Sequence, residues 1–193
     1  MANKPTLTGW LTRDASIAAI LALTCYGLTR WHAIADNLFT NVISHIVGFV
    51  ATYVVCYIVH EWGHLIGAKA TGSNMPFASY KSPLIGFFDA SKHSTKQFLA
   101  LSWGGVIGYT LVCGLALTLF FNFKNPVTGG MAIGGLAFVC QSWLVDLPQI
   151  FHVRKGADPV ATNRKGASKE MILKRTWQAW IVLAAALLTY NIA

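Results

Sequence analysis

The chain is short of charge, and of acidic charge most of all. Only 11% of its 193 residues are charged, with 7 acidic against 15 basic residues, while 54% are hydrophobic. A typical soluble domain carries about 25% charged residues. This scarcity excludes an ordinary soluble globular protein and indicates a polytopic membrane protein.

Long stretches lack charge altogether. Asp, Glu, Lys and Arg are missing from residues 15–29, 37–60, 97–123, 125–145 and 176–193. A helix needs about 20 apolar residues, with a lower limit near 17, to cross the hydrocarbon core of a bilayer. We therefore predict an all-α polytopic membrane protein of about five transmembrane helices, folded as a single domain over residues 1–193. The last segment is short, so it either spans the bilayer or lies in the interface.

The basic residues follow the predicted topology. With residues 1–14 as a cytoplasmic lead and five spans, thirteen of the 15 basic residues fall on the cytoplasmic side, and only Arg30 and Lys124 lie outside. Cytoplasmic loops of membrane proteins carry an excess of Lys and Arg. We expect an integral protein of the bacterial inner membrane with a cytoplasmic N-terminus, and the net charge of +8 needs no nucleic-acid partner.

The second apolar window ends in the run His60-Glu61-Trp62-Gly63-His64. Two histidines four residues apart lie on one face of a helix. That spacing lets both imidazoles reach one metal ion, and the glutamate beside them can act as general base for a metal-bound water. A glutamate next to a membrane-length apolar run costs free energy unless it has a function. The pentapeptide therefore indicates a metal centre with Glu61 in a catalytic role.

A third ligand is predicted on the fourth span. Asp146 lies 19 residues after Val127, the same offset as His60 from Asn41. Because both helices are expected to start at the outer surface, the two side chains should reach the same depth. We predict Asp146 as the third metal ligand. A hydrogen-bonded structural carboxylate is the other interpretation of Asp146, and His152, about 9 Å further along a helix, is the alternative ligand.

The segment between the second and third spans, residues 71–96, contains Gly72, Pro76, Pro83 and Gly86, which disfavour a continuous helix. Residues 80–88 are apolar enough to dip into the membrane face. We predict a re-entrant or hairpin loop whose edge pairs with an extended substrate strand. An interfacial loop without a catalytic part is the alternative.

Together these features resemble the site-2 protease family of intramembrane zinc metalloproteases. The resemblance covers about residues 41–152 and includes Ser102-Trp103-Gly104-Gly105, a divergent form of the family's Ala-Gly-Pro region. Gly104 and Gly108, four residues apart, also predict a close helix contact. The resemblance implies that Zn²⁺ is held by His60, His64 and Asp146, that Glu61 activates the water, and that membrane-protein substrates are cleaved near the cytoplasmic face.

The chain departs from the family pattern around Asp146. Leu147-Pro148 follows this residue where the family has glycine, and Phe138 stands where the family often has asparagine. Other classes remain open: a metal-binding transporter or regulator, and an inactive relative that acts as a scaffold. A membrane di-iron desaturase needs several histidine boxes, whereas this chain has 6 histidines and a single His-x-x-x-His pair.

Overall fold

The computed structural model describes residues 4–166, 168, 170, 171, 173, 174, 176–178, 180 and 181. Its helices are α1 (Leu7–Ile34), α2 (Leu38–Ala70), α3 (Thr95–Phe123), α4 (Pro126–Arg154) and the short α5 (Pro159–Gly166), with a 3-10 turn at Ala90–Lys92. Helices α1 to α4 are long and apolar enough to cross a membrane. The protein is thus an all-α integral membrane protein in the described residues, and most of the predicted fifth span lies outside them.

Polar caps set the helix starts. Asn37, Ser94 and Asn125 begin α2, α3 and α4, each in a reciprocal capping box with the third residue of its helix. These side chains bond backbone N–H groups that have no partner within the helix. The first helix is longer than its charge-free window, which begins at residue 15. Helix α1 already begins at Leu7, where the Thr6 side chain accepts from the Gly9 N–H at 3.1 Å.

Helix α2 is central, because it contacts α1, α3 and α4. It meets α3 at glycines: a Cβ on Gly63 would lie 2.2 Å from the Gly104 carbonyl oxygen, and a Cβ on Gly108 would lie 2.7 Å from that of Val59. On the α4 side, a Cβ on Gly130 would lie 2.1 Å from the His45 carbonyl oxygen. Small residues allow such backbone approach between membrane helices. The close contact predicted at Gly104 and Gly108 is therefore present.

The segment after α2 folds back on itself. Phe77 and Gly86 form an isolated antiparallel bridge. The Ala78 N–H donates to the Ile85 carbonyl at 3.0 Å, and the Phe87 N–H donates to the Pro76 carbonyl at 3.1 Å. Residues 75–88 are named here the fold-back loop. Its buried side chains pack with Trp10 of α1 and with Leu65 and Ala68 of α2.

Candidate metal centre

Helix α2 brings its two histidines and its glutamate together. His60, Glu61 and His64 each offer one potential ligand atom, and these three atoms lie within 4.8 Å of one another. The two Nε2 atoms of the histidines are 2.9 Å apart. A tetrahedral zinc ion with Zn–N bonds of about 2.05 Å holds two nitrogens roughly 3.3 Å apart. The imidazoles therefore need to open by only a few tenths of an ångström to chelate an ion, and the donor set fits a metal.

The protein backbone orients His64. Its Nδ1–H donates to the Leu101 carbonyl of α3 at 2.8 Å. With the proton on Nδ1, the lone pair of the neutral ring lies on Nε2, the atom that faces His60. A hydrogen bond of this kind is the usual outer-shell support of a metal-binding histidine, since it fixes both the tautomer and the ring angle.

Gly105 makes room for both rings. A Cβ at this position would lie 2.5 Å from His64 Cε1 and 2.9 Å from His60 Nδ1. The sequence indicated only helix packing for this glycine-rich stretch of α3. In the structure, the absence of a side chain at Gly105 is also what lets the imidazoles lie against the α3 backbone.

Glu61 is buried, with 7% of its surface exposed. Its Oε2 accepts a hydrogen bond from the Ile85 backbone N–H of the fold-back loop at 3.1 Å. A carboxylate removed from water needs such a donor, because burial of an unpaired charge is costly. The loop thus holds one oxygen of the carboxylate next to the two imidazoles.

Asp146 of α4 lies on the other side of His60. Its Oδ2 is 4.0 Å from His60 Nδ1, the ring nitrogen remote from His64. Tyr109 of α3 interacts with the same carboxylate. Both side chains are mostly buried, at 14% exposure for His60 and 16% for Asp146. When His60 presents the lone pair of Nε2 to an ion, its proton lies on Nδ1, and a nearby carboxylate stabilises this tautomer.

The structure places His152 elsewhere. Its Nδ1–H donates to the Pro148 carbonyl of its own helix at 2.6 Å. The side chain lines a neighbouring cavity together with Asp158 and Lys165. The structure thus groups His60, Glu61 and His64, with Asp146 beside them, and places His152 at the neighbouring cavity.

A cavity of about 370 Å³ opens next to His60, Glu61 and His64. Two amide side chains, Gln149 of α4 and Asn163 of α5, line it. Its apolar wall comes from both the loop and the helices: Met75, Leu84, Phe88, Phe98, Leu101 and Val145. The sequence analysis missed both amides. Gln149 lies about one turn beyond Asp146, and that spacing was the available signal, whereas α5 reaches the site only through the fold.

Comparisons with protein-family models, curated proteins and solved structures found no match to this chain. The function must therefore be argued from the geometry of the site itself. That geometry consists of two convergent imidazoles, a buried carboxylate held by a loop, a second carboxylate from α4, and a cavity lined in part by two amide residues.

Proposed function

We propose that this chain is an intramembrane zinc metalloprotease of the site-2 protease type, which hydrolyses membrane-protein substrates near the cytoplasmic face. The observation that carries the proposal is the pair of Nε2 atoms 2.9 Å apart on His60 and His64, with the buried Glu61 between them in sequence. Imidazole and carboxylate donors suit zinc well among the common metals. The site lies towards the end of a membrane-length helix.

Each residue has a proposed role. His60 and His64 hold the ion through Nε2. Asp146 lies on the Nδ1 side of His60, so in the proposed role of third ligand its carboxylate has to turn towards the two Nε2 atoms. Zinc, when bound, supplies a Lewis acid and lowers the pKa of water towards about 7. Glu61 takes a proton on Oε1, while Ile85 holds Oε2, and passes it to the leaving amine.

Two further elements support a peptide as the substrate. Gln149 and Asn163, which carry side-chain amides, line the cavity. We propose that these amides form hydrogen bonds with the backbone of an extended substrate. The substrate has to be unwound, because the peptide bonds of a helix are not accessible to attack. Leu84 and Gly86 of the fold-back loop line the same cavity. We propose that this loop dips into the membrane as a re-entrant hairpin beside the substrate.

The orientation proposed from the charge distribution is a cytoplasmic N-terminus in a bacterial inner membrane. A contact supports placing the first residues of α1 and the fold-back loop on one side of the membrane. The Trp10 indole N–H donates to the Ala78 carbonyl at 3.3 Å. Successive spans cross the membrane in alternating directions, so the start of α1 and the end of α2 lie on the same side. The basic residues of the loop after α2 then lie on that side too.

The test compares purified wild type with Glu61→Gln and with Glu170→Gln, which makes the same chemical change at an exposed position. Zinc content and cleavage of a reporter transmembrane segment are measured in each. We expect Glu61→Gln to retain zinc and lose cleavage by about 10²–10⁴-fold, the usual contribution of a general base. Glu170→Gln should match the wild type. Equal cleavage by wild type and Glu61→Gln would remove Glu61 from the mechanism.

A second experiment tests which residues bind the metal ion. His60→Ala should lose the ion, whereas His45→Ala, a change on the same helix, should keep it. The His45 ring donates from Nδ1 to the Asn41 carbonyl at 3.0 Å, far along α2 from the site. Zinc bound stoichiometrically without cleavage of any reporter would favour the second candidate, a non-catalytic metal-binding transporter, regulator or scaffold.

A further inference from the structure

Helix α1 is attached to the bundle mainly by its first turns. Its hydrophobic window is only 6% buried, against 28–39% for the other three spans. The buried residues of α1 are Trp10 and Asp14, both near its start. Lipid can cover the rest of the helix. A buried aspartate at this position costs free energy unless it is paired. The partners of Asp14 therefore identify the elements to which this end of α1 is attached.

Both carboxylate oxygens of Asp14 have donors. Oδ1 accepts from Arg13 Nε at 2.7 Å, and Oδ2 accepts from the Trp62 indole N–H at 2.8 Å. Trp62 directly follows Glu61 in α2. The charge-paired Asp14 therefore holds the residue next to the proposed general base from a different helix.

The same end of α1 also holds the fold-back loop. The Arg13 guanidinium donates to the carbonyls of Tyr80 at 3.2 Å and Ser82 at 3.3 Å. The guanidinium carbon lies 3.7 Å from the centroid of the Trp10 ring. Trp10 in turn donates to the Ala78 carbonyl. Three side-chain donor contacts thus fix the loop between residues 78 and 82.

The loop transmits this attachment to Glu61. Ala78 donates to the Ile85 carbonyl across the fold-back at 3.0 Å. The Ile85 N–H donates to Glu61 Oε2. One route therefore runs from Trp10 through Ala78 and Ile85 to the carboxylate, and a second runs from Asp14 through Trp62 to the backbone of the same residue.

We propose that Arg13 and Asp14 are positioning residues that hold the Glu61 carboxylate in its working orientation. The inference rests on the proposed function for the role of Glu61. Neither residue belongs to the His60, Glu61 and His64 group or to the residues that line the cavity. Their loss should lower the rate of the proton-transfer step without removing the metal, because His60 and His64 are supported separately through Leu101 and Gly105.

The test uses Asp14→Asn, which keeps the shape but loses the charge, and Trp62→Phe, which removes only the indole N–H. Matched controls are Asp36→Asn, whose side chain is 81% exposed, and Trp31→Phe at the far end of α1. The loss of a hydrogen bond to a charged group changes an equilibrium by about tenfold or more. We expect both test variants to lose about tenfold in kcat, with KM and zinc content unchanged, and both controls to match the wild type.

A double-mutant cycle of Asp14→Asn and Trp62→Phe checks that Asp14 and Trp62 act through their shared hydrogen bond. The double variant should lose no more than the worse single variant, because contacting residues are not additive. Full kcat in both test variants would overturn the proposal. So would additive losses, or a loss of zinc that parallels the loss of activity.

Hydrogen exchange at the Ile85 amide separates this inference from the proposed function. Asp14→Asn should raise the exchange rate of that amide by about tenfold, whether or not the protein cleaves peptides. A wild type without peptidase activity would overturn the proposed function, and unchanged exchange would show that α1 does not hold the loop on Glu61.

Discussion

Replacement of Gly105 by alanine should disable the metal centre. The new Cβ would lie 2.5 Å from His64 Cε1, 2.8 Å from His64 Nδ1 and 2.9 Å from His60 Nδ1. Carbon atoms in contact normally lie about 3.5–4.0 Å apart. The His64 ring must therefore move by about 1 Å, which breaks the 2.8 Å bond to the Leu101 carbonyl.

Two costs follow from this movement. Overpacking costs about 1–3 kcal/mol, and the lost hydrogen bond about 0.5–1.5 kcal/mol. Loss of outer-shell support lowers metal affinity by about 10–100-fold. A misplacement of about 1 Å can lower a reaction rate by a further 10²-fold. We expect the zinc affinity to fall within that range and cleavage to fall further.

Gly114→Ala is the matched control on the same helix, since a Cβ at Gly114 meets nothing within 4 Å. This control should bind zinc like the wild type and gain up to about 1 kcal/mol of helix propensity. Zinc affinity is measured by competition with a chelator, and folding by thermal unfolding in detergent. Wild-type zinc affinity in Gly105→Ala would refute the site geometry described for α3.

Two further variants probe the bundle and its fourth helix. In Gly104→Ala the Cβ would lie 2.1 Å from the Gly63 carbonyl oxygen, a backbone atom that cannot rotate away. We expect chemical denaturation to show a stability loss of about 3 kcal/mol, and an unchanged midpoint would contradict the close α2–α3 contact. In Asp146→Asn a ligand role predicts a fall in zinc affinity beyond the roughly 10–100-fold of an outer-shell group; wild-type affinity in a chelator competition would remove Asp146 from the centre.

Charge-free windows made most of the bundle predictable, and the capping residues found in the structure agree with them. Asn37, Ser94 and Asn125 stand directly before helices that the windows had indicated. The early start of α1 had no signal in the charge-free windows, because Arg13 and Asp14 interrupt the apolar run. In the structure the two residues pair with each other. Asp14 also accepts from Trp62, and Arg13 donates to a loop carbonyl.

The candidate site was only partly visible in the sequence. The histidine pair follows from helical spacing, which is a local property. The sequence could not predict the contacts of the Ile85 N–H and the Leu101 carbonyl with the site, because every residue type except proline carries both backbone groups. Asn163 was equally hidden, since it reaches the cavity through a helix distant in sequence.

The sequence by itself determined that this is a helical membrane protein and that two imidazoles and a carboxylate share one helix. Both properties depend on composition and on a period of a few residues, so neighbours along the chain suffice to set them. Only the tertiary structure decided that Asp146 lies on the Nδ1 side of His60, that the fold-back loop donates to Glu61, and that α1 holds this loop. Those contacts join residues far apart in sequence, so local patterns cannot set them. The approach of α3 and α4 to α2 depends in addition on glycines at which the helix backbones meet.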